Sequence, residues 1–244
     1  MSTNTKAMIT FVSAFLDLSE DRTALRSAEV YLSHFKRIAE TGINIHLFLN
    51  ERCRSWQNEL TLYSNVYIEY IELEELVSYT PAATLPSVRN VPKDTLNYLI
   101  LMNAKTDFVY RAILANHFNT SSYYWIDFGI FHVIRYADEA QAYLKAISSR
   151  SLRGLAIPGC HESRQVSYDQ ICWRFCGGVF AGDNESLRAF HKCVSGALSK
   201  ERMTWEVNLW AELEYSGKIQ PIWIHADHND TILRLPDQLF SEEK

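Results

Sequence analysis

The chain of 244 residues has little of several things, and each shortage excludes a class of protein. Nine Gly and six Pro are too few for a collagen-like, linker-like or low-complexity chain. The longest unbroken aliphatic run, Leu99 to Met102, is far too short to span a bilayer, which leaves a peripheral contact as the one expected relation to a membrane. The five cysteines (53, 160, 172, 176 and 193) are odd in number and form no C-x-x-C pair. That argues against a zinc ribbon or a secreted disulfide framework and reads as buried thiols. There is no excess of positive charge either. Against 24 Lys+Arg stand 29 Asp+Glu, a net of −5, so no nucleic-acid partner is expected, although a local pocket for one diphosphate is still allowed. The opening Met-Ser-Thr-Asn-Thr-Lys lacks the apolar stretch of a signal peptide, and the expectation is a cytoplasmic protein. What the chain does have is aromatic: 13 Tyr and 6 Trp supply either a large core or a stacking site for a flat or sugar-like ligand.

The pattern along the chain is that of an α/β protein. Met8 to Phe15, Ile43 to Leu49, Val66 to Leu73, Tyr123 to Ile130, Leu155 to Pro158 and Ile222 to His225 read as strands. Leu25, Ala28, Leu32, Phe35 and Ala39 recur at helical spacing before Gly42. Asp94 to Asn116 reads as a helix in two pieces meeting near Lys105 and Thr106. Asp183 or Asn184 caps a helix with Leu187, Phe190, Val194 and Leu198 on one face, and Thr204 caps another with Trp205, Leu209 and Leu213 inward and Gly217 at its end. Ser78 to Pro92, with three Pro, reads as a loop rather than a domain boundary. The order of elements implies one α/β sandwich, whose ligands lie beyond the carboxyl ends of the strands.

Strand ends are therefore where chemistry is sought. In Tyr123-Tyr124-Trp125-Ile126-Asp127-Phe128-Gly129-Ile130 a carboxylate interrupts a run of large apolar residues. Burying it requires a cation or hydrogen-bond donors. It is either a strand-ending carboxylate satisfied by backbone N–H groups or a ligand for a metal or phosphate, with Gly129 leaving room for approach.

The stretch Lys105 to Arg111, followed after a gap by Tyr-Tyr-Trp-Ile-Asp127-Phe-Gly-Ile, resembles a core pattern of the GT-A glycosyltransferases, in which a helix precedes a strand ending in a D-x-D metal motif. More closely, the chain resembles the bacterial HtrL/YibB-type family of probable glycosyltransferases associated with surface polysaccharides. The matching pieces are Phe11 to Asp17, Phe118-Asn-Thr, Trp125 to Ile130, and Gly177-Gly-Val-Phe-Ala-Gly-Asp183. The resemblance implies a single GT-A-like domain over 1–244, an α/β/α sandwich with a mixed, mostly parallel sheet. Its nucleotide-binding half would be about 8–130 and its acceptor half about 131–235. It further implies a nucleoside diphosphate sugar donor and a glycan or lipid-linked saccharide acceptor.

Residue roles follow from the same resemblance. Asp17 and Arg22 would meet the nucleoside, and Asp17 reads equally as the cap of the next helix. Arg111 would hold the diphosphate with its fork, or else bridge to a surface acid. Lys105 would bind phosphate or end a helix in solvent. Gly177 and Gly178 would let a sugar approach the backbone, or serve tight packing. Glu206, beside Trp205, would be the base that activates the acceptor, with Asp183 as a second catalytic carboxylate or simply a helix cap. Trp173, Trp205 and Trp210 would be a sugar platform or core. Gly129 stands where the second D-x-D carboxylate belongs, so the expected metal site needs another source. Asp127 with His225 and His228 would hold a divalent ion, Mn²⁺ in preference to Mg²⁺, together with diphosphate oxygens. Two other readings are a catalytically decayed GT-A-fold protein that binds carbohydrate or nucleotide, and an unrelated phosphohydrolase using Asp127.

Overall fold

Largely apolar runs build strands covered on both faces, and two such runs lead the chain. In the computed structural model, which describes residues 8–19, 26–162 and 166–241, the first run is β1 (Ile9–Phe15). Helix α1 (Ala28–Ala39) follows, started by Ser27, whose hydroxyl accepts the Val30 N–H. Then come β2 (Ile45–Leu49), the short helix α2 (Gln57–Leu60) and β3 (Val66–Tyr70). Leu73 leaves the expected third strand for a 3-10 turn, Leu73–Glu75, in which Glu72 and Glu75 cap each other's backbone N–H groups. The expected two-piece helix is α3 (Leu96–Asn103), capped by Thr95, and α4 (Lys105–Ala115), with the break at Ala104. Asn116 closes α4 in the left-handed conformation that asparagine tolerates.

Strand β4 (Ser122–Ile126) stops short of the expected Ile130, because Asp127 turns into a 3-10 turn over Ile130–His132. The remaining elements are α5 (Ala137–Ile147), β5 (Leu155–Gly159), β6 (Val179–Asp183), α6 (Asn184–Ala197), α7 (Glu206–Tyr215) and β7 (Ile222–His225). Neither α5 nor β6 stands among the elements read from the sequence. Asp183 caps α6 as expected, accepting the Ser186 N–H at 2.8 Å. Thr204 does not cap α7. The cap position is Trp205, and the Thr204 hydroxyl donates to the Tyr168 carbonyl instead.

Among the described residues seven strands form one sheet in the order β3-β2-β1-β4-β6-β5-β7. All neighbours are parallel except β6, which runs antiparallel to both β4 and β5. This is the mixed, mostly parallel sheet of the expected GT-A-like α/β sandwich. Alternate strand residues feed two cores. Phe11 and Tyr124 pack with Leu32 and Phe35 of α1 and Leu144 of α5. Val12, Tyr123 and Trp125 pack with Phe108 of α4, Phe190 of α6 and Trp210 of α7. Each fully buried large side chain stabilises the fold by roughly 1.5–3 kcal/mol. Among the described residues no helix is long and apolar enough to cross a membrane.

Topology locates the ligand edge. From β1 the chain adds β2 and β3 on one side, then returns to place β4 on the other side of β1. Where strand order reverses, the loops that leave neighbouring strands separate and open a crevice at their carboxyl ends.

Candidate functional site

A cavity of about 600 Å³ fills that crevice. Its walls come from the segment leaving β1 (Ala14 to Ser19), the start of α1 (Arg26 to Glu29 and Tyr31), Lys93 and Tyr98 around α3, and Trp125 with Asp127 to Gly129 at the end of β4. Aromatic faces and a few converging charges make a suitable wall for a flat ring joined to an anion. The first turn of α1 opens on the cavity, whose charged lining consists of the cations Arg26 and Lys93 and the carboxylates Asp17, Glu29 and Asp127.

At the inner wall stands Asp127, its side chain 35% exposed. Trp125 donates its indole N–H to Oδ1 at 2.8 Å. Behind it lies Lys105, the first residue of α4 and only 2% exposed. Its Nζ is 3.1 Å from Oδ1 and 3.4 Å from Oδ2 of Asp127. It also donates to Glu206 Oε1 at 2.8 Å and to the Gly177 carbonyl at 3.0 Å. Burial works against the ammonium, but the Asp127 carboxylate and then that of Glu206 outweigh it, so Lys105 is held above the ordinary lysine range. The result is a buried cation shared by two carboxylates, of which only Asp127 lines the cavity.

Gly177 shows how the backbone permits this. Its φ of +72° suits glycine, and a Cβ there would stand 2.8 Å from Glu206 Oε1. Gly178 accepts the Asp127 N–H at 2.9 Å. Both glycines thus serve the inner face of the cluster, and neither lines the cavity.

The other residues singled out in the sequence fall in several places. Asp17 lines the cavity. It does not cap α1; its Oδ1 accepts the Ser19 N–H at 2.9 Å, and its own N–H donates to Asn50. Arg22 lies outside the described residues. Arg111 is not a cavity residue: it sits two turns along α4 from Lys105, donating to Asp107 at 3.2 Å and to the Glu75 carbonyl at 2.7 Å. Asp183 is at the opposite end of the sheet, because β6 is antiparallel and pairs Asp183 with Ser122, the first residue of β4. Its second oxygen accepts the Gly154 N–H at 2.6 Å, a purely structural duty. Glu206 is buried and bound to Lys105, which keeps it from the cavity. Trp205 and Trp210 are core residues.

The expected metal set does not assemble. His225 ends β7 and His228 follows it; β7 is separated from β4 by β6 and β5, so the two strands stand roughly 14 Å apart. Asp127 is engaged by Lys105 and Trp125 and has Gly129 where a second carboxylate would stand. This donor set does not fit a divalent ion at Asp127, since a lone carboxylate already neutralised by an ammonium is a poor ligand.

His228 instead joins a second cluster. Cys160 follows β5, Cys176 precedes β6, and their sulfurs are 3.6 Å apart. Cys160 Sγ is 3.7 Å from His228 Nδ1 and 3.7 Å from Asp227 Oδ1. His228 meets the edge of Trp173 at 4.5 Å between ring centres. With His161 and His225 most of these residues line a separate cavity of about 310 Å³.

Sequence reading missed Arg26, Lys93, Tyr31 and Tyr98, which carry no motif and become cavity residues only through the loops that present them. It also missed the pairing of Cys160 with Cys176, since the spacing matches no metal motif and only the β5–β6 pairing brings the two together.

Solved structures share the general architecture at low similarity. They include 4-diphosphocytidyl-2C-methyl-D-erythritol synthase from Anaerococcus prevotii (8% identity, 96% of this chain and 94% of that one, TM-score 0.46). Inositol-1-phosphate CTP transferase from T. maritima is similar at 9% identity (92% and 86% covered, TM-score 0.43), and mouse xyloside xylosyltransferase 1 at 11% (89% and 84%, TM-score 0.38). Likeness at this level carries no functional argument. No curated protein matches the sequence. Residues 57–202, which hold Lys105, Asp127 and both cysteines of the second cluster, match the family described as "Bacterial protein of unknown function (HtrL_YibB)", and the chain belongs to that family.

Proposed function

We propose that the protein is a glycosyltransferase that moves a sugar from a nucleoside diphosphate to a hydroxyl of a glycan or lipid-linked saccharide, as in surface polysaccharide synthesis. The observation that carries this reading is Asp127, a carboxylate fixed by Lys105 and Trp125 at the wall of an aromatic, cation-bearing cavity at the β1/β4 reversal. The nucleoside would lie along Phe15, Asp17 and Tyr31, and the diphosphate against the first turn of α1 with Arg26 and Lys93. Asp127 would then face the transferred sugar. In the transfer step the acceptor oxygen forms its bond to the anomeric carbon as the bond to the diphosphate breaks. Asp127 takes the hydroxyl proton, and the cations neutralise the departing diphosphate. This role moves from Glu206 to Asp127, because Asp127 is the member of the cluster that reaches the cavity.

A second reading, a catalytically decayed protein that binds nucleotide or carbohydrate, draws on the same cluster: both Asp127 oxygens lie within 3.4 Å of the Lys105 ammonium and Oδ1 also accepts the Trp125 indole N–H, so the carboxylate is occupied by the protein itself. The test is a thermal-shift panel of UDP-, GDP- and dTDP-sugars, followed by assay of nucleoside diphosphate release with saccharide acceptors. A ligand at 100 times its dissociation constant stabilises the native state by about 2.7 kcal/mol. A shift with release supports the transferase, and a shift without release supports the binding protein. No shift with any nucleotide sugar rejects the transferase, and no shift with nucleotide sugars or saccharides rejects both.

A further inference from the structure

We infer that Cys160, Cys176 and His228, with Asp227 as the fourth ligand, form a zinc-binding site that ties together the ends of β5, β6 and β7. It is distinct from the nucleotide cavity, and it stands whether or not the transferase reading does. One ligand atom each from Cys160, Cys176 and His228 lies within 4.8 Å of the others. The separations have the shape of a tetrahedral shell. Around zinc, with Zn–S about 2.3 Å and Zn–N about 2.0–2.1 Å, two sulfurs stand about 3.8 Å apart and a sulfur and a nitrogen about 3.6 Å. The observed values are 3.6 Å for Cys160 to Cys176 and 3.7 Å for Cys160 to His228. Asp227 Oδ1 lies 3.7 Å from Cys160 Sγ and 3.6 Å from His228 Nδ1, outside the three-residue set as it stands, and its exposed side chain can turn toward the fourth position.

The donor chemistry selects the metal. Two thiolates and an imidazole in a tetrahedron suit zinc, whereas manganese and magnesium prefer oxygen ligands in octahedral shells. On binding, both thiol protons pass to solvent and two Zn–S bonds form, with no redox change. The ligands come from three strand ends: Cys160 directly after β5, Cys176 just before β6, and Asp227 and His228 just after β7. A metal here would fasten the segment between β5 and β6 to the chain leaving β7, with the Trp173 edge holding the His228 ring in place.

The test uses the full chain, stripped of metal under reducing conditions and titrated with Co²⁺, then Zn²⁺. We expect one Co²⁺ per chain, with thiolate charge-transfer absorption and the intense visible bands of a tetrahedral ion, both abolished by one equivalent of Zn²⁺. His228→Ala changes an exposed side chain and should leave the fold intact. It should weaken metal binding by more than the ~10–100-fold that follows loss of a ligand's hydrogen-bond partner. Cys160→Ser should remove half of the sulfur charge-transfer band, and Asp127→Asn should bind as wild type does. Three outcomes would overturn the assignment: absorption without a sulfur band, equal affinity in wild type and His228→Ala, or a Cys160–Cys176 disulfide that forms at the same rate with and without Zn²⁺.

Discussion

Two clusters of ionisable side chains occupy the same carboxyl edge of the sheet and solve opposite problems. Around Asp127 the fold supplies its own cation: Lys105 is buried between two carboxylates and a carbonyl, so one ammonium is shared by both carboxylates. Around Cys160 the fold supplies only ligating atoms, two sulfurs, an imidazole and a carboxylate. The first cluster is finished by folding and presents one carboxylate to a cavity that fits an organic anion. The second is finished by a metal. The contrast reverses the expectation from sequence, which joins His228 to Asp127 around a single ion. Two intervening strands, β6 and β5, keep them apart.

The largest effect should come from removing the built-in cation. Lys105→Met leaves Asp127 and Glu206 facing each other without neutralisation in a buried setting, and should cost about 3–5 kcal/mol. Urea denaturation followed by tryptophan fluorescence measures it. A loss below 1 kcal/mol would mean that the cluster is not held by its ion pairs. Next in size is the separation of the two carboxylates in turnover. Asp127→Asn should lower transfer by roughly two to four powers of ten. Glu206→Gln, whose amide oxygen still accepts from Lys105, should lower it by less than tenfold. The reverse order in steady-state assays would return the base to Glu206.

A smaller effect separates cavity cations from the helix arginine. Lys93→Ala or Arg26→Ala should each weaken binding of the cognate nucleoside diphosphate by roughly tenfold, about 1.4 kcal/mol, the loss of one charge-assisted hydrogen bond. Arg111→Lys should leave that affinity within twofold, because Arg111 is occupied by Asp107 and Glu75. Calorimetric titration of the three variants distinguishes them. The smallest effect is on pH dependence. The Lys105 pKa is raised in the folded state, so its contribution is fully present below the unfolded lysine value of about 10.4 and is lost as pH climbs through the higher folded value. Stability should therefore be flat with respect to Lys105 from pH 7 to about 10 and fall above that. The fall should be shallower in Lys105→Met.

How much of this was legible in the sequence depends on how local each cause is. The runs of β1, β2 and β4, the break at Ala104 and the Asp183 cap rest on neighbours within a few residues, and they could be read directly. Strand β6 was hidden because Val-Phe-Ala-Gly-Asp becomes a strand only by insertion between β4 and β5. Asp127 could be picked out because a carboxylate in an apolar run needs a partner. Which partner could not be read. Lys105 looks like any helix-end lysine until the fold buries it 22 positions away from Asp127 in sequence. Arg111 carries the chemistry of a phosphate ligand, but the phase of α4 turns it toward Glu75. His225 and His228 stand at the carboxyl edge of the sheet, and strand order alone decides which ligands they can join.

The central claim is that the β1/β4 cavity binds a nucleoside diphosphate with charges supplied by the protein. Its most direct test is calorimetric titration of the nucleoside diphosphate selected by the thermal-shift panel, on wild type with no added metal and with Mn²⁺. His228→Ala serves as a control that removes the sulfur–imidazole site. The account predicts equal affinity in both conditions and in the control, with roughly tenfold weaker binding in Lys93→Ala. Binding that appears only with Mn²⁺, or that is lost in His228→Ala and kept in Lys93→Ala, would contradict it.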